Sequence, residues 1–433
     1  MRRTAWAWLA LSSLLPASAR AATRPHYGGT LAVELSTAFS TLDSTDFPAG
    51  IAQPIAETLL RLNSQGEVEP WLAVAWQADA DRKRWRFSLR PKVTFHDGEP
   101  LTGPSAAPLL LAPLKKTYPD VAITAGGQAL VIRSDRAMPD LLSDLANART
   151  AIIRRSESNP SIGTGPFRVT GWEPGRKLNL TAFDDYWGGR PFLDAVAINM
   201  ASTRANGDVF DVPFSATRRI LAERTRLWSS PVEELVALVG TGMQPAALKA
   251  IALAIDREPL VNVLTQRRGE AAFGLLPEWL SGYAFLFRTA PDAGRARQSA
   301  ALLRLGTLTL SYAASDSFAR AAAERISLNT RDAGINLQPT PNANGNLRLA
   351  RWRVESANVA VELQRLAGLL GVSETPALDA ANPTALYEAE RALLETQRVI
   401  PLVYLPVIYG MSPRVHGSDA GFALRLESLW VDP

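Results

Sequence analysis

The sequence predicts an α/β protein built in two parts. Alternating apolar and polar runs of strand length dominate the first half, and a strand–helix–strand series occupies the second. The C-terminal stretch then returns to strand and turn character. With 433 residues the chain can bury two or three cores.

The elements follow in order. Residues 29–35 (GTLAVEL) read as a first strand, with Leu31, Val33 and Leu35 alternating with smaller or polar residues. Residues 51–62 read as a helix with Ile51, Ile55, Leu59 and Leu62 on its apolar face. Residues 84–90 (RWRFSLR) alternate sharply, Trp85, Phe87 and Leu89 against Arg84, Arg86, Ser88 and Arg90, as a half-buried strand requires. Further strands are expected over 128–134, 165–173, 177–183 and 194–200, punctuated by Gly and Pro. Pro245 starts a helix whose stripe is Ala247, Leu248, Ile251, Ala252 and Ile255. A strand over 307–313 leads into a helix over 315–334, capped by Ser315 or Asp316 and ended by Gly334. The short strand 335–339 that follows implies a parallel pair. Asn382-Pro383 opens a last helix through Arg398, which runs into the strand 399–406. The texture changes near residue 240 and changes back near 404.

Composition narrows the function. A hydrophobic content of 47% and a charged content of 20% are ordinary for a globular protein. The formal net charge is +4, but Arg2, Arg3 and Arg20 lie in the first 21 residues, which hold no acid. The rest is close to neutral and shows no Lys/Arg block, so no nucleic-acid partner is expected. Residues 1–21 read as a cleavable signal peptide: a basic start, the apolar run AWAWLALSSLLPA, then Ala19-Arg20-Ala21. The chain has no cysteine, which excludes disulfides, thiolate metal sites, cysteine nucleophiles and a lipidated cysteine anchor. Export to the periplasm is the expected destination.

The enzyme signatures are missing. No G-x-S-x-G, H-E-x-x-H, phosphate-loop, dinucleotide-binding or EF-hand pattern occurs. A histidine-rich metal site would need His26, His96 and His416 to converge from distant segments, which leaves only carboxylate sites open; no metal and no cofactor are expected. His96 stands beside Asp97 in TFHDGEPLTG, a pairing that invites a catalytic reading. Asp97-Gly98 is also a strong turn signal, and Val93 and Phe95 continue an inward face, so a structural histidine is expected. Trp85, Trp172 and Trp187 are expected in the core.

Two long blocks carry a family resemblance. EPWLAVAWQADADRKRWRFSLRPKVTFHDGEPLTG (69–103) resembles the block near the start of family 5 extracellular solute-binding proteins, the periplasmic receptors of dipeptide, oligopeptide and nickel ABC importers. Pro70, Leu72, Ala73, Trp76, Phe87, Leu89, Arg90, Val93, Phe95, His96, Asp97, Gly98, Pro100, Leu101 and Thr102 match its pattern. IGTGPFRVTGWEPGRKLNLTAFDDYWGGRPFLDAVAI (162–198) matches a second block, while 247–264 and 399–417 are similar to the helix opening the second lobe and to the closing strands. The resemblance implies an α/β, two-lobed periplasmic binding protein fold of the type II, Venus-flytrap kind. It has a hinge and a discontinuous first lobe: 22–239 and 404–433 for lobe I, 240–403 for lobe II. It also implies a monomer that holds a small molecule or peptide between the lobes and, when closed, meets an inner-membrane ABC permease.

The chain departs from the family in three places. After PLTG, residues 104–120 are short and proline-rich where the family has a longer helical stretch. The tryptophan-led loop that carries acids in peptide-binding members is matched only by Trp352 and Glu355 in RWRVESAN. The second lobe is short, with few aromatics between 290 and 350. Three stretches are expected at the ligand: Phe39, Leu42 and Asp43; Gly163, Thr164 and Gly165; and Trp352, Arg353 and Glu355. A receptor for a peptide or peptide-like solute is the leading expectation. A nickel or other metal chelate, an exported hydrolase and a scaffold without transport are the alternatives.

Overall fold

The computed structural model describes residues 24–432 apart from 44–46, 49–50, 52, 64–66, 156–160, 203–206, 215–224, 343, 373–377, 379–381 and 418–422. The expected signal peptide lies outside the described residues. Ten strands follow one another across an eleven-stranded mixed sheet, and the short strand Glu270–Ala271 pairs at its side. One end of the sheet is made by Phe167–Glu173, Lys177–Ala182, Ala195–Asn199 and Thr30–Glu34. The other end is made by Leu347–Arg353, Leu308–Tyr312 and Leu337–Pro341.

Two long antiparallel strands join the ends. Arg226–Gly240 runs outward and Val399–Met411 runs back beside it. Trp228 and Tyr409 belong to the core around Leu31, Val33 and Ile198, whereas Val236, Leu238 and Ile400 belong to the core around Ile251, Ala323 and Leu347. The strand pair therefore passes from one core to another. Its register slips between Ser229 and Val232 and again between Val232 and Glu234, opposite Ile408, Pro406 and Leu405. Pro231 and Pro406 stand at the slips, where the ladder can do without their missing N–H groups.

A four-stranded antiparallel sheet forms a further core within the first half, in the order Ala73–Ala78, Arg84–Leu89, Ala129–Arg133, Ala122–Gly126. In Arg84–Leu89, Trp85, Phe87 and Leu89 are buried and Arg84, Arg86 and Ser88 exposed, as the alternation predicts. The proline-rich stretch after Thr102 does form a helix, Gly103–Lys115, with Pro108 and Pro113 inside it. A capping box between Thr102 and Ser105 opens it, and burial of Ala106, Leu110 and Leu114 offsets the missing donors. Gly103 lies so close to the neighbouring strand that a Cβ would come within 2.3 Å of the Ala129 carbonyl oxygen.

The expected parallel strand–helix–strand series is present. Leu308–Tyr312 pairs parallel with Leu337–Pro341, and the helix Ser317–Asp332 between them is capped by Asp316, which accepts from the Ala319 N–H at 3.0 Å. Gly334 follows with φ +76°.

One expected element is overturned. None of the described residues of 51–62 is helical: they run through isolated bridges and end in the short strand Leu60–Leu62. The carbonyls of Pro54, Ile55 and Glu57 accept from Phe167, Gly165 and Ile152 instead of from their own helix. Pro54 has no N–H for a helical ladder, and the apolar side chains of Ile51, Ile55 and Leu59 reach buried positions from an extended chain.

Candidate functional site

A cavity of about 390 Å³ opens beside the crossing strands. Its lining draws on the irregular segment 47–62, the turn 146–151, the crossing strand at Glu233, the segment Arg353–Glu355 and the C-terminal residues Ala423, Arg425 and Glu427. Among these lining residues there is no histidine, serine or cysteine.

Glu57 forms the floor. Its carboxylate accepts from Thr164 Oγ1 at 2.9 Å, Tyr186 OH at 2.8 Å and Trp187 Nε1 at 3.0 Å. Burial outweighs these three donors and pushes its pKa up to about 7. Beside it the Arg61 guanidinium lies 3.6 Å from the centre of the Trp71 ring and is ion-paired with Glu69. Burial, then the charge of Arg425, lowers the pKa of Arg61. Arg425 reaches the same Trp71 ring at 5.4 Å and pairs with Glu427 at 3.6 Å.

The opposite wall comes from the other side of the strand crossing. Burial pushes the Glu233 carboxyl up, with Arg353 opposing the shift. Oε1 of Glu233 and Nε of Arg353 are buried without a hydrogen-bond partner among the described residues. Glu355 is ion-paired with Arg365 at 3.4 Å, and Arg365 also donates to the Arg353 carbonyl at 2.8 Å. The Asn147 side-chain amide donates to the Glu355 carbonyl oxygen, which links the two walls across the opening.

The residues expected at the ligand divide. Arg353 and Glu355 line the cavity. Trp352 is half-buried against the neighbouring core and does not line it. Phe39 and Leu42 are buried, Phe39 stacked on Trp172 at 5.6 Å, while Asp43 is ion-paired with Arg155. Gly163, Thr164 and Gly165 are buried and do not line the cavity; Thr164 reaches it through its hydrogen bond to Glu57. A Cβ on Gly163 would meet the Ile55 carbonyl oxygen at 1.9 Å, and one on Gly165 the Pro54 oxygen at 2.5 Å. These glycines serve the approach of two chain segments.

Glu57, Arg61, Glu233, Arg425 and Asn147 were not among the expected residues. A signal existed for two of them. Glu57 is the lone acid in the apolar run IAQPIAETLL, and Glu233-Glu234 interrupts the apolar strand PVEELVALVG. Among the described residues no group of three or more His, Cys, Asp or Glu side chains could hold a metal ion. No helix among them is long and apolar enough to cross a membrane.

Comparison with known proteins agrees with this architecture. Residues 67–106 and 112–208 match the family described as bacterial extracellular solute-binding proteins, family 5 Middle. The nickel-binding protein NikA of Staphylococcus aureus is 34% identical over 164 residues, 36% of this chain and 33% of that protein. The probable D,D-dipeptide-binding periplasmic protein DdpA of Escherichia coli is 25% identical over 297 residues, 56% of this chain and 55% of that protein. The matches thus span about a third to a half of these curated relatives. Among solved structures, DppA of Helicobacter pylori in complex with the peptide STSA superposes with a TM-score of 0.75 at 15% identity, covering 94% of this chain and 99% of that one. AppA of Bacillus subtilis in complex with a nonapeptide gives 0.74 at 16%, covering 95% and 100%. The chain has the fold of the two-lobed periplasmic binding proteins. Within it, residues 67–106 and 112–208 are similar to family 5 of the bacterial extracellular solute-binding proteins.

Proposed function

We propose that this chain captures a small solute in the cleft between its lobes and delivers it to the permease of an ABC importer. The observation that carries the reading is the composition of the cavity wall. Glu57, Arg61 and Arg425 lie on one side of the strand crossing, Arg353 and Glu355 on the other, and Asn147 bridges the gap. A ligand that touches both sides favours the closed arrangement by the difference in its contacts with the open and closed forms. The register slips at Ser229–Glu234 and their partners Leu405–Ile408 are where we place the bending.

Peptide-binding and nickel-binding proteins both stand among the relatives, and both solute types suit a cleft that carries arginines and carboxylates together. Binding needs no covalent step. The lobe assignments, 22–239 with 404–433 against 240–403, belong to the same reading, as do export by residues 1–21, a periplasmic location and a monomeric state.

The test is small-angle scattering of the purified protein with and without solute, after mass spectrometry of whatever copurifies on gentle release. A bound solute and a smaller radius of gyration on saturation are expected. A saturating solute that leaves the radius unchanged overturns capture by closure.

A further inference from the structure

We infer that Glu233 and Arg353 form a clamp for the head of a free α-amino acid, an ammonium and a carboxylate carried on one carbon. The inference rests on the capture reading above and adds the ligand class to it.

Two buried polar atoms without partners line one wall of the cavity. Glu233 Oε1 is an acceptor, and Arg353 Nε is an N–H donor. Leaving either unsatisfied costs free energy that a ligand of the right polarity recovers. An ammonium satisfies the first, and a carboxylate satisfies the second through a charge-assisted hydrogen bond.

The backbone explains why these two groups stand together. Between Val232 and Glu234 the outgoing strand carries one residue more than its partner, because Val232 pairs with Pro406 and Glu234 with Leu405. Glu233 is that extra residue, and a bulge of this kind re-aims the side chain it carries. On its other edge the same strand pairs Glu234 with Arg353, and the Val354 N–H donates to the Glu233 carbonyl at 2.7 Å. The acid and the base are therefore cross-strand neighbours. In a peptide the terminal ammonium and carboxylate are at least one residue apart. In a free amino acid they share a carbon, which suits readers held side by side. The ligand's side chain would then extend toward Glu57, Arg61 and Arg425.

The experiment is calorimetric titration of the full chain with each standard L-amino acid. Any binder is then compared with its N-acetyl and its carboxamide derivative, and the same titrations are run with dipeptides and with nickel–histidine. At least one free amino acid is expected to bind, and each blocked derivative should bind at least tenfold more weakly, since a site built for a polar group rejects the analogue lacking it. Glu233→Gln should lower affinity for the same amino acid at least tenfold with little change in melting temperature. Binding of dipeptides or nickel–histidine but of no free amino acid overturns the clamp and leaves capture standing. Equal binding of free and blocked forms also overturns it. If Glu233→Gln lowers the melting temperature and leaves affinity unchanged, the two groups serve only each other and the inference fails. No binding of any of these solutes counts against capture itself.

Discussion

The ring of His96 reaches 69 positions along the chain, where its Nε2 lies 3.0 Å from the Gly165 carbonyl oxygen. Its Nδ1 accepts from the Gly163 N–H at 3.3 Å, and its own backbone N–H donates to the Gly163 oxygen at 2.9 Å. Only the neutral ring with its proton on Nε2 serves both side-chain bonds. Phe183 packs edge-on against the same ring at 5.2 Å. The histidine beside Asp97 is a clasp between the turn it sits on and the glycine pair that crosses beneath the cavity.

That clasp predicts a pH dependence. Burial lowers the His96 pKa from 6.5 to about 4. The unfolded chain takes up this proton between those values and the native state does not, so stability is fully present above pH 6.5 and falls as pH drops toward 4. Allowing for the ring's partial exposure, the loss is on the order of 2 kcal/mol. Urea unfolding across that range should show the decline in the wild type and a flatter profile in His96→Gln. His96→Ala should cost stability at every pH while sparing ligand affinity.

Gly163→Ala and Gly165→Ala should each destabilise the fold by about 3 kcal/mol or more, because the new methyl would meet carbonyl oxygens of the 54–55 segment and not a flexible side chain. Thermal denaturation measures this. A melting temperature within a degree of wild type for either variant contradicts the close approach.

Glu57 works in the opposite direction from His96. Its pKa is raised to about 7, so the native state keeps a proton that the unfolded chain releases above 4.5. The stabilisation is complete below pH 4.5 and is lost as pH rises through 7, a change on the order of 2–3 kcal/mol. In Glu57→Gln, which keeps an oxygen for Thr164 and Trp187, the difference from wild type should widen in the variant's favour between pH 5 and pH 8. Guanidinium titrations at the two pH values check it.

Asn147→Ala removes the hydrogen bond that joins the walls of the cleft. One such bond contributes about 1 kcal/mol, so solute affinity should fall about fivefold. Melting temperature should fall modestly, since Asn147 Oδ1 also caps the turn Ala148–Thr150 by accepting from the Arg149 N–H at 3.0 Å. Scattering should report a larger radius for the solute-free variant.

The frame of the protein was legible because local rules speak there. Alternation marks Arg84–Leu89, and an Asp and a Gly bracket the helix Ser317–Asp332. The 51–62 segment misled because Ile51, Ile55 and Leu59 are spaced as on a helix, yet what fixes the chain is hydrogen bonding to Ile152, Gly165 and Phe167, more than ninety positions away. The cavity was harder to foresee for the same reason. Arg353 and Glu355 were expected there, but Glu57, Arg61, Glu233 and Arg425 come from three further segments. Gly163 and Gly165 carried a true signal of close approach, and the partner turned out to be the chain itself.

The slipped register between Val232 and Glu234 has a mechanical consequence. Glu233 stands on the strand that passes between the cores and contributes to the cavity wall at the same point. If the molecule closes as proposed, occupying the cavity at Glu233 and bending the molecule are not a signal and a response linked by a relay. They are one displacement, and a push on the carboxylate is a torque on the joint.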